Sequence, residues 1–134
     1  MPNWCENDLW ITGPKEDLQR FALEPLTLSR FIPLEEESTQ WCVDSWGTKW
    51  DIDPTEPDPD PYFRCDPQEC LFYTFLTAWT PPIPTVGMMA KVFPTLSFSL
   101  TYFESGVAFN GILIAKEGMI IKEDSGPYYG DRGG

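Results

Sequence analysis

The alternation of apolar and polar residues divides the chain into recognisable pieces. In "NDLWITG" (7–13), Leu9 and Ile11 share one face while Asp8, Trp10 and Thr12 share the other, the period of a strand. Gly13-Pro14 stops it, and "PKEDLQRFAL" (14–23) changes period: Leu18, Phe21 and Ala22 recur at helical spacing, with acids in the first turn. "LTLSRFIPL" (26–34) is a short apolar run that reads as a strand or an extended loop. Residues 48–52 read as a strand, preceded by a loop or short helix from 39. "CLFYTFLTAW" (70–79) is apolar on both alternations, which predicts a central strand buried on both faces. Residues 80–94 predict a second helix, opened by prolines and carrying Met89, Val92 and Phe93 on one face. "LSFSLTYFES" (96–105), "VAFNGILIAK" (107–116) and "MIIKED" (119–124) predict three strands joined by the turns "SG" and "EG". Tyr73, Phe75, Phe98, Leu100 and Ile112 are the expected core, and the tail "SGPYYGDRGG" is turn-rich.

Between these elements lies "DPTEPDPDPYFRCDPQE" (53–69), an acidic, proline-rich loop in which missing amides exclude regular helix or strand. Long irregular segments of this kind inside a compact domain tend to be functional or mobile. The overall order predicts an α+β fold: a ferredoxin-like antiparallel sheet with two helices on one face and an extra hairpin strand. No repeat or second domain is visible, so residues 1–134 are read as one domain.

Charge changes the picture most. Twenty-one acids against nine bases give a net charge of −12. This argues against direct nucleic-acid binding and against an anionic membrane surface. It suits a protein partner with a basic surface. The opening "MPNWCEND" has no signal-peptide character, and no apolar run is long enough to span a bilayer, so a cytoplasmic chain with reduced thiols is expected.

Candidate chemistry is sparse. The chain has no His, so neither a Ser-His nor a Cys-His nucleophile pair exists within it. Phosphate-loop and dinucleotide fingerprints are absent. Cys65 and Cys70 are spaced C-x4-C, while Cys5 and Cys42 are isolated, which is poor zinc spacing. Cys5 reads as a packed small hydrophobe. The acids around 51–60 have prolines where a calcium loop must turn its carbonyls inward. No catalytic residue, metal or cofactor is therefore assigned.

Several motifs carry a family resemblance. "PNWCENDLWITG", "WGTKWD" (46–51), "TAWTPPIP" (77–84), "FPTLSFSLTYFESGVAFNG" (93–111) and "YYGDRGG" (128–134) resemble, in order and from end to end, the YubB-like group of small phage- and plasmid-encoded proteins with a ferredoxin-like domain. The resemblance implies a protein of a mobile element acting inside a bacterial host cell. It implies no catalytic residues.

Two functions of different kind follow as expectations. The first is an acidic interaction protein that inhibits a bacterial defence system, an anti-CRISPR or similar, by binding the basic surface of a host nucleic-acid-binding protein. Its contact residues would be Asp51, Asp53, Glu56, Asp58, Asp60 and Asp66, with Glu35, Glu36 and Glu37 as a second patch. The alternative is a protein that binds or sequesters a small nucleotide signal on an aromatic platform of Trp46, Trp50 and Tyr62. The same rings also suit plain packing over the sheet, with Lys49 resting on one of them.

Overall fold

The structure is a computed structural model that describes residues 4–59, 69–104, 106 and 109–127. Among these residues, five strands form one sheet: β1 (Trp4–Thr12), β2 (Cys70–Ala78), β3 (Ser97–Glu104), β4 (Phe109–Lys116) and β5 (Met119–Pro127). Their spatial order is β2-β1-β3-β4-β5, and every neighbouring pair is antiparallel. The expected α+β architecture is present, with three helices among the described residues in place of two: α1 (Lys15–Ala22), α2 (Thr39–Trp46) and α3 (Ile83–Val92).

Register explains which residues are buried. Cys5, Asn7, Leu9 and Ile11 of β1 point to one face and align with Tyr73 and Phe75 on one side and Phe98, Leu100 and Tyr102 on the other. Leu113 and Ala115 of β4 continue that layer. Leu18 and Phe21 of α1, Cys42 and Trp46 of α2, and Val86, Met89 and Ala90 of α3 join the same apolar cluster, so all three helices cover one face. Phe21 sits at its centre, within 5.8 Å of the rings of Tyr73 and Phe98 and 5.1 Å of Phe93. Ile112 departs from the expected core: β4 alternation turns Leu113 inward and Ile112 to the opposite, helix-free face. That face also carries Trp4, Glu6, Asp8 and Trp10 of β1 and Phe72, Thr74 and Leu76 of β2.

The helix α2 is concealed in a stretch rich in tryptophan. Ser38 caps it, its hydroxyl accepting from the Trp41 amide at 3.1 Å, and Gly47 ends it at φ 92° with its amide bonded to the Cys42 and Val43 carbonyls. A side chain at Gly47 would also strike Pro84 Cδ at 2.6 Å and the Pro81 carbonyl oxygen at 2.9 Å, so the residue serves both the cap and the α2–α3 approach.

Three other expectations change. Among the described residues β2 pairs with β1 alone and is an edge strand, with Thr74 and Leu76 exposed. Its double-sided apolar pattern arises because Tyr73 and Phe75 face the helices while Phe72 meets Trp10 on the far face, with ring centroids 5.0 Å apart. Residues 48–52 form no strand; side-chain bonds, not a ladder, hold them in place. Segment 26–34 contributes only an isolated bridge between Leu26 and Thr55.

Candidate functional site

The chain from Thr48 to Asp58 runs beside the free edge of β2, and a succession of specific bonds holds it there. Thr48 is buried and its hydroxyl donates to the Ala78 carbonyl at 2.6 Å. Asp51 lies half-buried, its carboxylate accepting from the amides of Leu28 (2.6 Å), Ile52 (2.8 Å) and Ser29 (3.3 Å). A carboxylate that satisfies three chain amides is a structural acid. Ile52 drops into the core. Thr55 and Leu26 exchange both backbone bonds, at 2.7 and 3.1 Å, and the Asp58 amide donates to the Phe72 carbonyl at 2.7 Å.

Between this segment and β2 lies a groove of about 420 Å³, lined by Trp4, Trp50, Asp51, Ile52, Asp53, Thr55, Phe75 and Leu76. Trp4, Trp50 and Leu76 are 42%, 44% and 51% exposed, so its mouth is an apolar surface open to solvent. Trp4 and Trp50 meet edge to face, 6.1 Å apart at 72°. Lys49 lies 4.5 Å from the Trp79 ring centre and 5.7 Å from that of Trp50. Its ammonium thus links two exposed rings beside the groove.

The residues expected to make contacts have different fates. Asp53 is exposed and lines the groove, and Glu56 and Asp58 are exposed on the same segment. Asp51 shares that groove, but its carboxylate is occupied by the three amides, so its role there is to shape the segment. Glu35, Glu36 and Glu37 are exposed in the approach to α2 and line no part of the groove. Asp60, Asp66 and Tyr62 lie outside the described residues. Of the expected aromatic platform, Trp50 is in place, whereas Trp46 is buried, donates from Nε1 to the Ile32 carbonyl at 2.6 Å and packs against Trp41. Trp46 therefore belongs to the core. Trp4 and Leu76 are site residues that the sequence reading misses. The signal for Trp4 is its place in the β1 alternation, two steps from Glu6 and six from Trp10, which puts it on the helix-free face.

The described cysteines do not line the groove. Cys5 and Cys42 are free and buried. Burial, with the nearby Glu104 carboxylate, pushes the Cys5 thiol up to about 12, consistent with a packed residue and not a nucleophile. Cys70 is held in a disulfide, which departs from the expectation that all four thiols are reduced. Among the described residues, no three Cys, Asp or Glu converge as metal ligands. No helix among them is long and apolar enough to cross a membrane.

Residues 60–131, just over half of the chain, match the model of the ferredoxin-like domain in Api92-like proteins. The chain belongs to this Api92-like family. The crystal structure of a protein api92 from Yersinia pseudotuberculosis is similar to it with a TM-score of 0.57 and 16% sequence identity. That similarity covers 78% of this chain and 40% of the api92 chain, so this chain spans well under half of that protein. At such identity the likeness speaks to the fold, and the fold is ferredoxin-like. No curated protein matches the chain. The Api92-like family is described by its fold and not by an enzymatic activity.

Proposed function

We propose that this chain is an acidic interaction protein that engages a basic surface on a protein partner. The observation that carries this reading is the build of the 51–58 segment. Asp53, Glu56 and Asp58 face solvent on a stretch whose path is fixed by Asp51, by the Leu26–Thr55 bonds and by the Asp58 amide on β2. A segment held in place before binding has less freedom to lose on association. Three of the described cations are engaged away from Asp53 and Glu56. Arg20 pairs with Asp17 at 2.9 Å, Arg30 packs over Phe21 at 4.8 Å while pairing with Glu24, and Lys49 rests on its two tryptophans. With a formal charge of −12, the field seen by an approaching cationic surface is strongly attractive.

In its finer form, the proposal follows the YubB-like motifs: the partner is a basic nucleic-acid-binding protein of a bacterial defence system, met in the host cytoplasm and inhibited by occlusion. The alternative of sequestering a nucleotide signal is less well supported, because an anionic ligand in the groove would meet the Asp53 carboxylate.

The test compares the protein with a triple variant, Asp53→Asn, Glu56→Gln and Asp58→Asn. Both are used to capture partners from nuclease-treated bacterial lysate that contains several defence systems. A stoichiometric basic protein, released at high salt and lost with the triple variant, is the expected result. A partner retained equally by the variant would remove the acidic segment from the interface.

A further inference from the structure

We propose that the free edge of β2 at Thr74–Leu76 is a docking site for an extended basic segment of the partner, which adds as a strand beside β2 and places a cationic side chain at Asp53. This rests on the interaction reading above and supplies it with a location and a partner conformation.

The direction of the backbone groups can be read from two bonds. The Phe72 carbonyl accepts from the Asp58 amide and the Ala78 carbonyl accepts from the Thr48 hydroxyl, so both point away from β1. In an antiparallel strand the amide and carbonyl of one residue point to the same side, and successive residues alternate. The β1–β2 register runs from Cys70 to Ala78 without a shift, so Thr74 and Leu76 also turn their amides and carbonyls outward. Among the described residues nothing bonds to those groups. Residues 70–78 contain no proline and no charge, the usual devices that keep an edge from pairing. Among the described residues the edge is therefore capped near both ends and open in the middle.

The groove adjoins that opening. In antiparallel addition, Thr74 and Leu76 would each exchange a pair of bonds with one residue of the incoming segment. The residue between those two would stand opposite Phe75 and point to the side of Ile52 and Asp53. Its flanking neighbours would lie on the face of Leu76 and Trp4. The site thus favours an apolar–basic–apolar sequence. Asp53 is the carboxylate available for the cation, because Asp51 is occupied by chain amides. The complementary charge of the chain selects a basic segment over an acidic one.

The experiment uses the full chain and a fluorescent octapeptide of alternating valine and arginine, followed by anisotropy. A valine–glutamate peptide should not bind. N-methylation of the valine amides, which face Thr74 and Leu76, should weaken binding by about tenfold or more, while methylation of the arginine amides should leave it intact. Thr74→Pro removes an outward amide without touching the β1 ladder and should weaken binding similarly. If that variant fails to fold, the methylated peptides still decide the matter. Equal binding of both methylated peptides, or no binding of the valine–arginine peptide, would overturn the edge proposal. The acidic-surface reading would survive either result, provided the partner from lysate is still lost with the triple variant of Asp53, Glu56 and Asp58.

Discussion

The two edges of the sheet are built on opposite rules. β5, at one end, is exposed along nearly its whole length, carries Lys122, Glu123 and Asp124, ends at Pro127 and is thrown out of register by a shift at Ile114/Ala115. Charge, proline and irregularity are what keep an edge from pairing with other chains. β2, at the other end, has none of these in its nine residues and stays in register throughout. What it has is local cover, from Asp58 at Phe72 and Thr48 at Ala78. Among the described residues one edge is thus protected and the other keeps a short window where pairing is tolerated. The difference makes the β2 edge the side of the sheet where the docking proposed above is chemically allowed.

That comparison can be broken first by attacking the framework on the β5 side. Gly111 lies where the Tyr102 ring crosses β4, and a Cβ there would collide with the Tyr102 hydroxyl and lie 2.7 Å from the Asp124 carbonyl oxygen. Gly111→Ala is expected to cost about 3 kcal/mol in a urea titration, the upper range for overpacking, and to loosen β5 first in hydrogen exchange. Next in size is the frame around the β2 window. Asp51→Ala leaves the Leu28, Ser29 and Ile52 amides without their acceptor, for an expected loss of about 2 kcal/mol and altered tryptophan fluorescence from Trp50. An unchanged midpoint would show that the carboxylate does not hold the segment.

How much of this is readable from the letters depends on the length scale of each signal. Strands β3 and β4 and helix α1 follow from period, because each hides one stripe or face and shows the other, whereas β5 shows nearly all of its residues and is marked by the turn before it. α2 escapes because its marks are single letters, Ser38 and Gly47, among bulky rings that suggest no period. The position of β2 escapes for a different reason: an edge strand whose outer face is covered by local packing has the composition of a central one. The site is legible in part. Charge and proline spacing pick out Asp53, Glu56 and Asp58, and all three are exposed. That Asp51 differs from them depends on contacts across some twenty residues of sequence, with Leu28 and Ser29, which no local pattern encodes. Trp46 and Trp50 look equivalent on paper, yet one closes a helix and the other stands outside.

Smaller effects sharpen the contrast between the edges. Replacing Lys122 and Asp124 with valine strips β5 of its protection, and sedimentation should then show concentration-dependent self-association absent from the parent protein. Alkaline pH probes the interior instead. The Cys5 thiol is raised by burial from 9.0 to about 12, so an unfolded chain ionises it before the folded one does. Its contribution to stability is complete below pH 9 and is lost as pH rises towards 12. Cys5→Ala should flatten that part of the decline in a pH-dependent urea series. The smallest expected change in stability, within about 0.5 kcal/mol, belongs to Thr74→Lys, an exposed substitution that should nevertheless close the β2 window to any basic strand. If this variant docked the valine–arginine peptide as well as the parent, the window would not be the site.

The paired backbone bonds between Leu26 and Thr55, with the Asp51 carboxylate beside them, join two irregular stretches far apart in sequence into one rigid clasp. The clasp is made of main chain and one inward acid, so it places no demand on the letters that face outward between its fixed points. Asp53 and Glu56 can be exchanged, neutralised or reversed in sign without disturbing the fastening that displays them. The same frame is thus suited to carry many different labels, and the outward letters of this stretch can be rewritten while the fold stays untouched.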